Sequence, residues 1–138
     1  MIGLDTNILL RWLVDESIWP DDAPHQTKLI AEMLLVPGAR FYVNTIVIEE
    51  TIWVLANRLK EPRRMIVDIL ERLLSASSID IENRAAVGQA LRSYAKGPGD
   101  FADHLIARIN LGAGCEMTMT FDKAASKAPG FKRLQKER

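Results

Sequence analysis

The side chains of this sequence best placed to do chemistry are carboxylates. Asp5 closes the apolar run Met1-Ile2-Gly3-Leu4, and Asp122 closes Met117-Thr118-Met119-Thr120-Phe121. Asp103 stands near the start of a helical stretch, where the helix dipole favours negative charge. Glu49 and Glu50 interrupt the apolar stretch Ile46 to Leu59. Its buried stripe is expected at Ile48, Ile52, Leu55 and Leu59, widened by Trp53 and Val54. An acid in such surroundings needs a partner, and few cationic residues lie near these motifs in the chain. Two like charges about 4 Å apart repel by about 4 kcal/mol at an effective dielectric of about 20. Gathered carboxylates therefore require protons or a cation. Hard oxygen donors without thiolates or paired histidines suit Mg²⁺ or Mn²⁺. Such an ion activates water and stabilises a phosphoryl transition state.

The elements that must position these acids can be read from pattern. Strands are expected at residues 1–4, 40–43, 78–81, 115–121 and 131–134. Helices are expected over 8–14, 26–35, 45–59, from Pro62 to Leu74, from Asn83 to Ala95, and from Asp100 or Asp103 to Leu111. Thr45 and Asn83 read as N-caps, and Pro62 suits a first turn. Pro37-Gly38, Gly97-Pro98-Gly99, Gly112 and Gly114 read as stops. Asp15 to Pro24 reads as a polar loop, with His25 also placed in a loop. Strands alternating with helices predict an α/β fold with a mostly parallel sheet, in one domain over residues 1–138. Ligands of such sheets bind outside the carboxyl ends of the strands. Asp5 and Asp122 each follow a strand directly, so if those strands are parallel neighbours the two acids share an edge.

Composition narrows the class. The chain has 138 residues, 48% of them hydrophobic and 26% charged, which is ordinary for a globular domain and excludes wholesale disorder. No apolar run is long enough to span a bilayer. Asp5 breaks the first apolar stretch and no basic segment precedes it, so no signal peptide is expected. The single cysteine, Cys115, excludes an internal disulfide and a cysteine-based zinc site. It reads as a buried structural residue at the apolar start of a strand, in a protein of the reducing cytosol. Eighteen basic residues balance 18 acids, which at face value disfavours a nucleic-acid partner.

Four blocks, in order and spacing, then carry a family resemblance. They are Met1-Ile2-Gly3-Leu4-Asp5-Thr6-Asn7; Val43-Asn44-Thr45-Ile46-Val47-Ile48-Glu49-Glu50 with Trp53-Val54-Leu55; Asp100-Phe101-Ala102-Asp103-His104-Leu105-Ile106-Ala107; and Thr120-Phe121-Asp122. Over nearly its whole length the chain resembles the PIN-domain ribonucleases and, within them, the VapC-like toxins of toxin–antitoxin pairs. The resemblance implies a three-layer α/β/α fold with a mostly parallel five-stranded sheet. It implies that Asp5, Glu50, Asp103 and Asp122 are the catalytic, metal-binding carboxylates of an endoribonuclease using Mg²⁺ or Mn²⁺. Glu50 is chosen over Glu49 because the family's acid lies five residues after the polar residue matching Thr45. Asp100 fits an Asp-Phe-Ala-Asp variant of part of the family, which implies an accessory ligand there. Asn7 and Thr120 match polar positions that support the site, whereas Thr6 reads as a turn residue. A homodimer, a small antitoxin partner, an RNA substrate and a cytoplasmic location are implied as well.

The remaining residues get plainer readings. His104 departs from the small residue common in the family and reads as structural or solvent-exposed. Lys123 and Lys127, close after Asp122, are candidates for RNA phosphates. Arg58, Lys60, Arg63 and Arg64, and the tail Lys132, Arg133, Lys136 and Arg138, are further basic clusters. Trp53 reads as core, and Trp12 as core or interface. Five of the 18 acids are assigned to the site, so the rest of the chain carries an excess of five positive charges. Overall neutrality then no longer argues against RNA. An aspartyl-phosphate phosphatase is disfavoured because Asn7 stands where its second Asp is needed. A receiver domain is disfavoured because Asp80 lies within its strand, and a dinucleotide fold because no G-x-G-x-x-G follows the first strand. A PIN nuclease of RNA maturation, or a degenerate PIN scaffold, are the alternatives within the family.

Overall fold

The computed structural model describes residues 1–14 and 23–136. Trp19, Arg138 and most of the loop expected from Asp15 lie outside the described residues. The chain divides into two compact units, Met1–Glu82 and Asn83–Arg138.

The first unit contains β1 (Ile2–Gly3), α1 (Thr6–Leu13), α2 (Ala23–Leu34), β2 (Phe41–Val43), α3 (Thr45–Asn57), α4 (Arg63–Leu74) and β3 (Ile79–Ile81). Its three strands are hydrogen-bonded in the order β1-β2-β3, and both pairings are parallel. The register pairs Ile2 with Phe41 and Phe41 with Ile79. Arg40, just before β2, pins it: its guanidinium pairs with Asp80 of β3 and donates to the Ser77 carbonyl at 2.9 Å. Phe41, Val43 and Ile79 are fully buried beneath Leu9, Ile48, Leu55, Ile66, Leu70 and Leu73 of the helices. The parallel ladder continues one residue beyond each strand, through Leu4 N–H to the Tyr42 carbonyl and Glu82 N–H to the Val43 carbonyl, both 2.9 Å. Asp5, Asn44 and Glu82 are thus brought to one edge of this sheet, at the carboxyl ends of its strands.

That edge is stitched by side chains. Asn44 caps α3, its Oδ1 accepting from Val47 N at 2.9 Å. Thr45 is the first helical residue and not the cap, because its N–H and hydroxyl both donate to Glu82, at 2.9 and 3.0 Å. These bonds, with one from the Tyr42 hydroxyl, hold the Glu82 carboxyl below its ordinary pKa. Burial and the nearby Glu82 charge push the Tyr42 phenol up.

The second unit contains α5 (Arg84–Lys96), α6 (Phe101–Gly112), β4 (Thr118–Thr120), a 3₁₀ turn (Ala125–Lys127) and β5 (Phe131–Arg133). α5 packs on α6 through Val87, Leu91, Tyr94, Phe101 and Leu105, with Tyr94 and Phe101 meeting edge to face at 5.9 Å. β4 and β5 pair in parallel, Thr118 opposite Phe131. Gly130, at φ +89°, sits so close to α6 that an added Cβ would lie 3.2 Å from Leu111 Cδ1 and 3.3 Å from Ala107 Cβ.

All five expected strands form, with parallel pairing throughout, but in a ladder of three and a ladder of two. Several local expectations are corrected. Ile2 and Gly3 are exposed, and of the first run only Leu4 is buried. His25 belongs to α2. Asn83 precedes α5 in the left-handed region, φ 51°, and makes no side-chain cap. Cys115 is exposed and lies before β4, which starts only at Thr118. Trp53 is exposed too: one residue beyond Ile52 on a helix turns it about 100° from the buried stripe.

Two variants test the stitched edge. Asn44→Ala should lower stability by about 1 kcal/mol in urea unfolding. Glu82, with its folded-state pKa depressed, stabilises the fold above its unfolded pKa and loses that contribution as pH falls through the folded value. Glu82→Gln should therefore be less stable than the parent at pH 7, with the difference shrinking at about pH 3; a pH-independent difference would contradict this account.

Candidate metal centre and active site

In the first unit the site begins with a helix cap. Asp5, extended at φ −85° and ψ 163°, accepts from Thr6 N at 2.7 Å and opens α1. Thr6 is buried, and its hydroxyl donates to the Glu50 carboxylate on α3. The strand end, the start of α1 and the second turn of α3 are thereby locked together. Asp5, Thr6, Asn7, Leu10, Glu50, Trp53, Val54 and Arg58 line an open groove of about 290 Å³. Glu49 is half-buried and lies outside that lining. Expected only as a turn residue, Thr6 instead ties Glu50 to the strand end that carries Asp5. The signal available in the sequence was its place directly after Asp5 in a chain with one acid too many in α3. Arg58, which the sequence groups with Lys60, Arg63 and Arg64, lines the same groove as Asp5 and Glu50.

In the second unit Asp100 caps α6, accepting from Asp103 N at 3.0 Å. Asp103 occupies the first turn. Its carboxyl is pushed up to about 6, first by desolvation, then by the neighbouring Asp100, and also by the charge of Asp122. Both acids are thus near enough to Asp103 for their charges to act on it. His104 is buried, not solvent-facing, with Nε2 donating to the Pro98 carbonyl at 2.7 Å. It anchors the Gly97-Pro98-Gly99 loop that delivers the chain to Asp100. Gly99 adopts φ +92° there, a conformation open to glycine.

Asp122 is positioned from the other side. Its N–H donates to Thr120 Oγ1 at 3.0 Å, and its Oδ1 accepts from Ala124 N at 2.8 Å and Ala125 N at 3.3 Å. Thr120 thus fixes the turn that presents Asp122. A bond of 2.9 Å from Asn110 Nδ2 to Thr118 Oγ1 ties α6, which carries Asp103, to β4, which carries Asp122. Lys123 and Lys127 are exposed beyond it. Among the described residues, no three His, Cys, Asp or Glu side chains stand close enough to hold an ion.

The donor chemistry fits a hard divalent cation. Every candidate ligand is a carboxylate, and Asp103 takes up a proton more readily because it is desolvated and lies near the charges of Asp100 and Asp122.

Comparison with known proteins identifies the family. The PIN domain profile matches residues 2–130. The chain belongs to the PIN domain family. It is also 26% identical over 129 residues to the VapC ribonuclease of Aquifex aeolicus (strain VF5), covering 94% of this chain and 92% of that protein. The two ladders and their helices are the parts of a PIN fold, and the PIN match spans all four sequence blocks that carry Asp5, Glu50, Asp103 and Asp122. No described helix of this PIN domain is long and apolar enough to cross a membrane.

The acid neighbourhood of Asp103 is directly measurable. Carbon-detected NMR titration of the metal-free protein should place the Asp103 carboxyl near pH 6, and Asp100→Asn or Asp122→Asn should each lower it. A midpoint at the ordinary aspartate value of about 4 would show that the three acids are not neighbours.

Proposed function

We propose that this PIN domain is a metal-dependent endoribonuclease, and that it is the toxin of a toxin–antitoxin pair. The observation that carries the reading is the set of acids placed at strand ends, at a helix start and on the second turn of α3 in a PIN domain. Asp5 and Glu50 are fixed by Thr6 in one unit, and Asp103 and Asp122 are held with Asp100 in the other. The resemblance to a VapC ribonuclease supports RNA as substrate and a small protein antitoxin as partner. A homodimer in the cytoplasm belongs to the same proposal.

In this reading Asp5, Asp103 and Asp122 hold Mg²⁺ or Mn²⁺, with Asp100 as an accessory ligand. When bound, the ion lowers the pKa of water and neutralises charge on the scissile phosphate. Glu50 holds metal or orients the attacking water, and the Thr6 hydroxyl fixes the carboxylate in the rotamer that serves either role. Thr120 keeps Asp122 from turning away. Asn7, beside Asp5 in the groove, supports the first ligand. Lys123 and Lys127 contact phosphates flanking the cut. Single-stranded or looped RNA is the substrate class, since its bases and backbone are accessible. Loss of a proton from Asp103 accompanies metal uptake, so metal affinity rises from pH 5 to pH 7.

The purified protein, free of any inhibitor, should cut single-stranded RNA when Mn²⁺ or Mg²⁺ is added and stop when the metal is chelated. Asp5→Asn and Asp122→Asn should each lower the rate by at least about a hundred-fold, since groups that merely orient a ligand are worth about 10–100-fold. Thr6→Val and Thr120→Val should fall within that lesser range. Expression of the parent should arrest growth, and co-expression of a small protein encoded beside it should relieve the arrest. No cleavage with either metal, or equal cleavage by Asp5→Asn, overturns the mechanism.

A further inference from the structure

Trp53 and Arg58 have no role in the chemistry above, yet both line the groove that holds Asp5 and Glu50. Trp53 leaves 48% of its surface in water, although α3 buries Ile48, Ile52 and Leu55 completely or nearly so. Arg58 is the C-cap residue of the same helix, anchored by its N–H to the Val54 carbonyl. Its guanidinium is not a partner in the Lys28–Glu32 or Arg40–Asp80 ion pair. The groove therefore presents three different faces from one rigid helix and one strand end: carboxylates, a flat aromatic ring and a guanidinium.

We infer that Trp53 and Arg58 form a nucleotide subsite beside the reactive phosphate, with a base of single-stranded RNA stacked on the Trp53 indole and its phosphate held by Arg58. This rests on the ribonuclease reading and specifies how that site grips its substrate. The combination of charges selects the occupant. An acidic peptide would meet Asp5 and Glu50 as like charges, and a basic one would meet Arg58. A nucleic-acid strand satisfies all three faces, because its phosphates suit both Arg58 and metal-bound carboxylates, and every base has a π-face for Trp53. A guanidinium is suited to the phosphate by its planar, two-pronged donors. The indole is held by the helix, so stacking requires little ordering of the protein. Among single strands the subsite discriminates weakly by sequence, whereas duplexed RNA, with its bases stacked inside, is refused.

The experiment compares the parent with Trp53→Ala, Trp53→Phe and Arg58→Ala. Cleavage of a short single-stranded RNA with Mn²⁺ gives KM and kcat, and anisotropy of the labelled RNA at several salt concentrations gives affinity. Circular dichroism melts check that each variant is folded, as a half-exposed residue permits. Trp53→Ala should raise KM about tenfold or more, the range of one lost base stack, with kcat much less affected. Trp53→Phe should retain most of the affinity. Arg58→Ala should weaken binding and reduce the slope of log affinity against log salt by about 0.7, one phosphate contact on a single strand. If folded Trp53→Ala and Arg58→Ala cut and bind RNA as the parent does, the subsite is refuted while the ribonuclease reading stands. If Trp53→Ala alters self-association in sedimentation and leaves KM unchanged, the face is covered by protein and the inference fails. If the parent neither binds nor cuts RNA, the underlying reading fails first.

Discussion

Repulsion between carboxylates is the constraint on which the rest of this structure turns. Asp103 cannot ionise at its ordinary pH because it is partly desolvated and faces Asp100 and Asp122. A protein that needed only a helix cap at Asp100 would have no use for that arrangement. On the proposed reading, the positive charge that offsets this cost is a divalent cation. The fold provides the rigidity that such strain demands. Asn110 ties α6 to β4, Thr120 fixes the turn of Asp122, and His104 anchors the loop before Asp100. In the other unit the Thr6 hydroxyl does the same for Glu50.

Most polar bonds that position these acids are local, within a turn of each acid, whereas the Thr6 hydroxyl reaches Glu50 from 44 residues away. Asp5, Asp100, Asp103 and Asp122 each lie within a residue or two of a strand end or a helix start, where unpaired N–H groups await acceptors, while Glu50 sits on the second turn of α3. Asp5, Asp100 and Asp122 each accept from such an N–H. The same contacts that cap an element therefore also hold a carboxylate in one orientation with its second oxygen available. Capping and ligation are compatible uses of one side chain, which is why the acids of this site cannot be told from ordinary caps one at a time.

That ambiguity marks how far the sequence could be read. Strand and helix order followed from hydrophobic period and from Gly and Pro stops, and every expected element formed with small shifts of its ends. Asp5 and Asp122 stood out because each closes an apolar run. What pattern could not supply was the choice between Glu49 and Glu50, since adjacent residues on a helix differ only by rotation; the family resemblance made it. Thr6 was invisible because its partner, Glu50, is 44 residues away. Thr45 reads as a cap from its type and place, since nothing local announces Glu82, which lies 37 residues on. Cys115 reads as buried from its place at the apolar start of a strand, and Trp53 from its place beside a buried stripe, whereas the strand starts only at Thr118 and helix rotation leaves Trp53 in water. His104 was equally opaque: its burial depends on Pro98, brought back by the glycine turns between them.

The central claim, that these carboxylates exist to hold a divalent cation, is tested most directly by titrating the RNA-free protein with Mn²⁺ and following the free ion by electron paramagnetic resonance. The account predicts saturable binding at pH 7 that weakens at pH 5, and that is strongly reduced by Asp5→Asn and by Asp122→Asn alike. Binding that is absent in the folded parent, or undiminished in both variants, would contradict it.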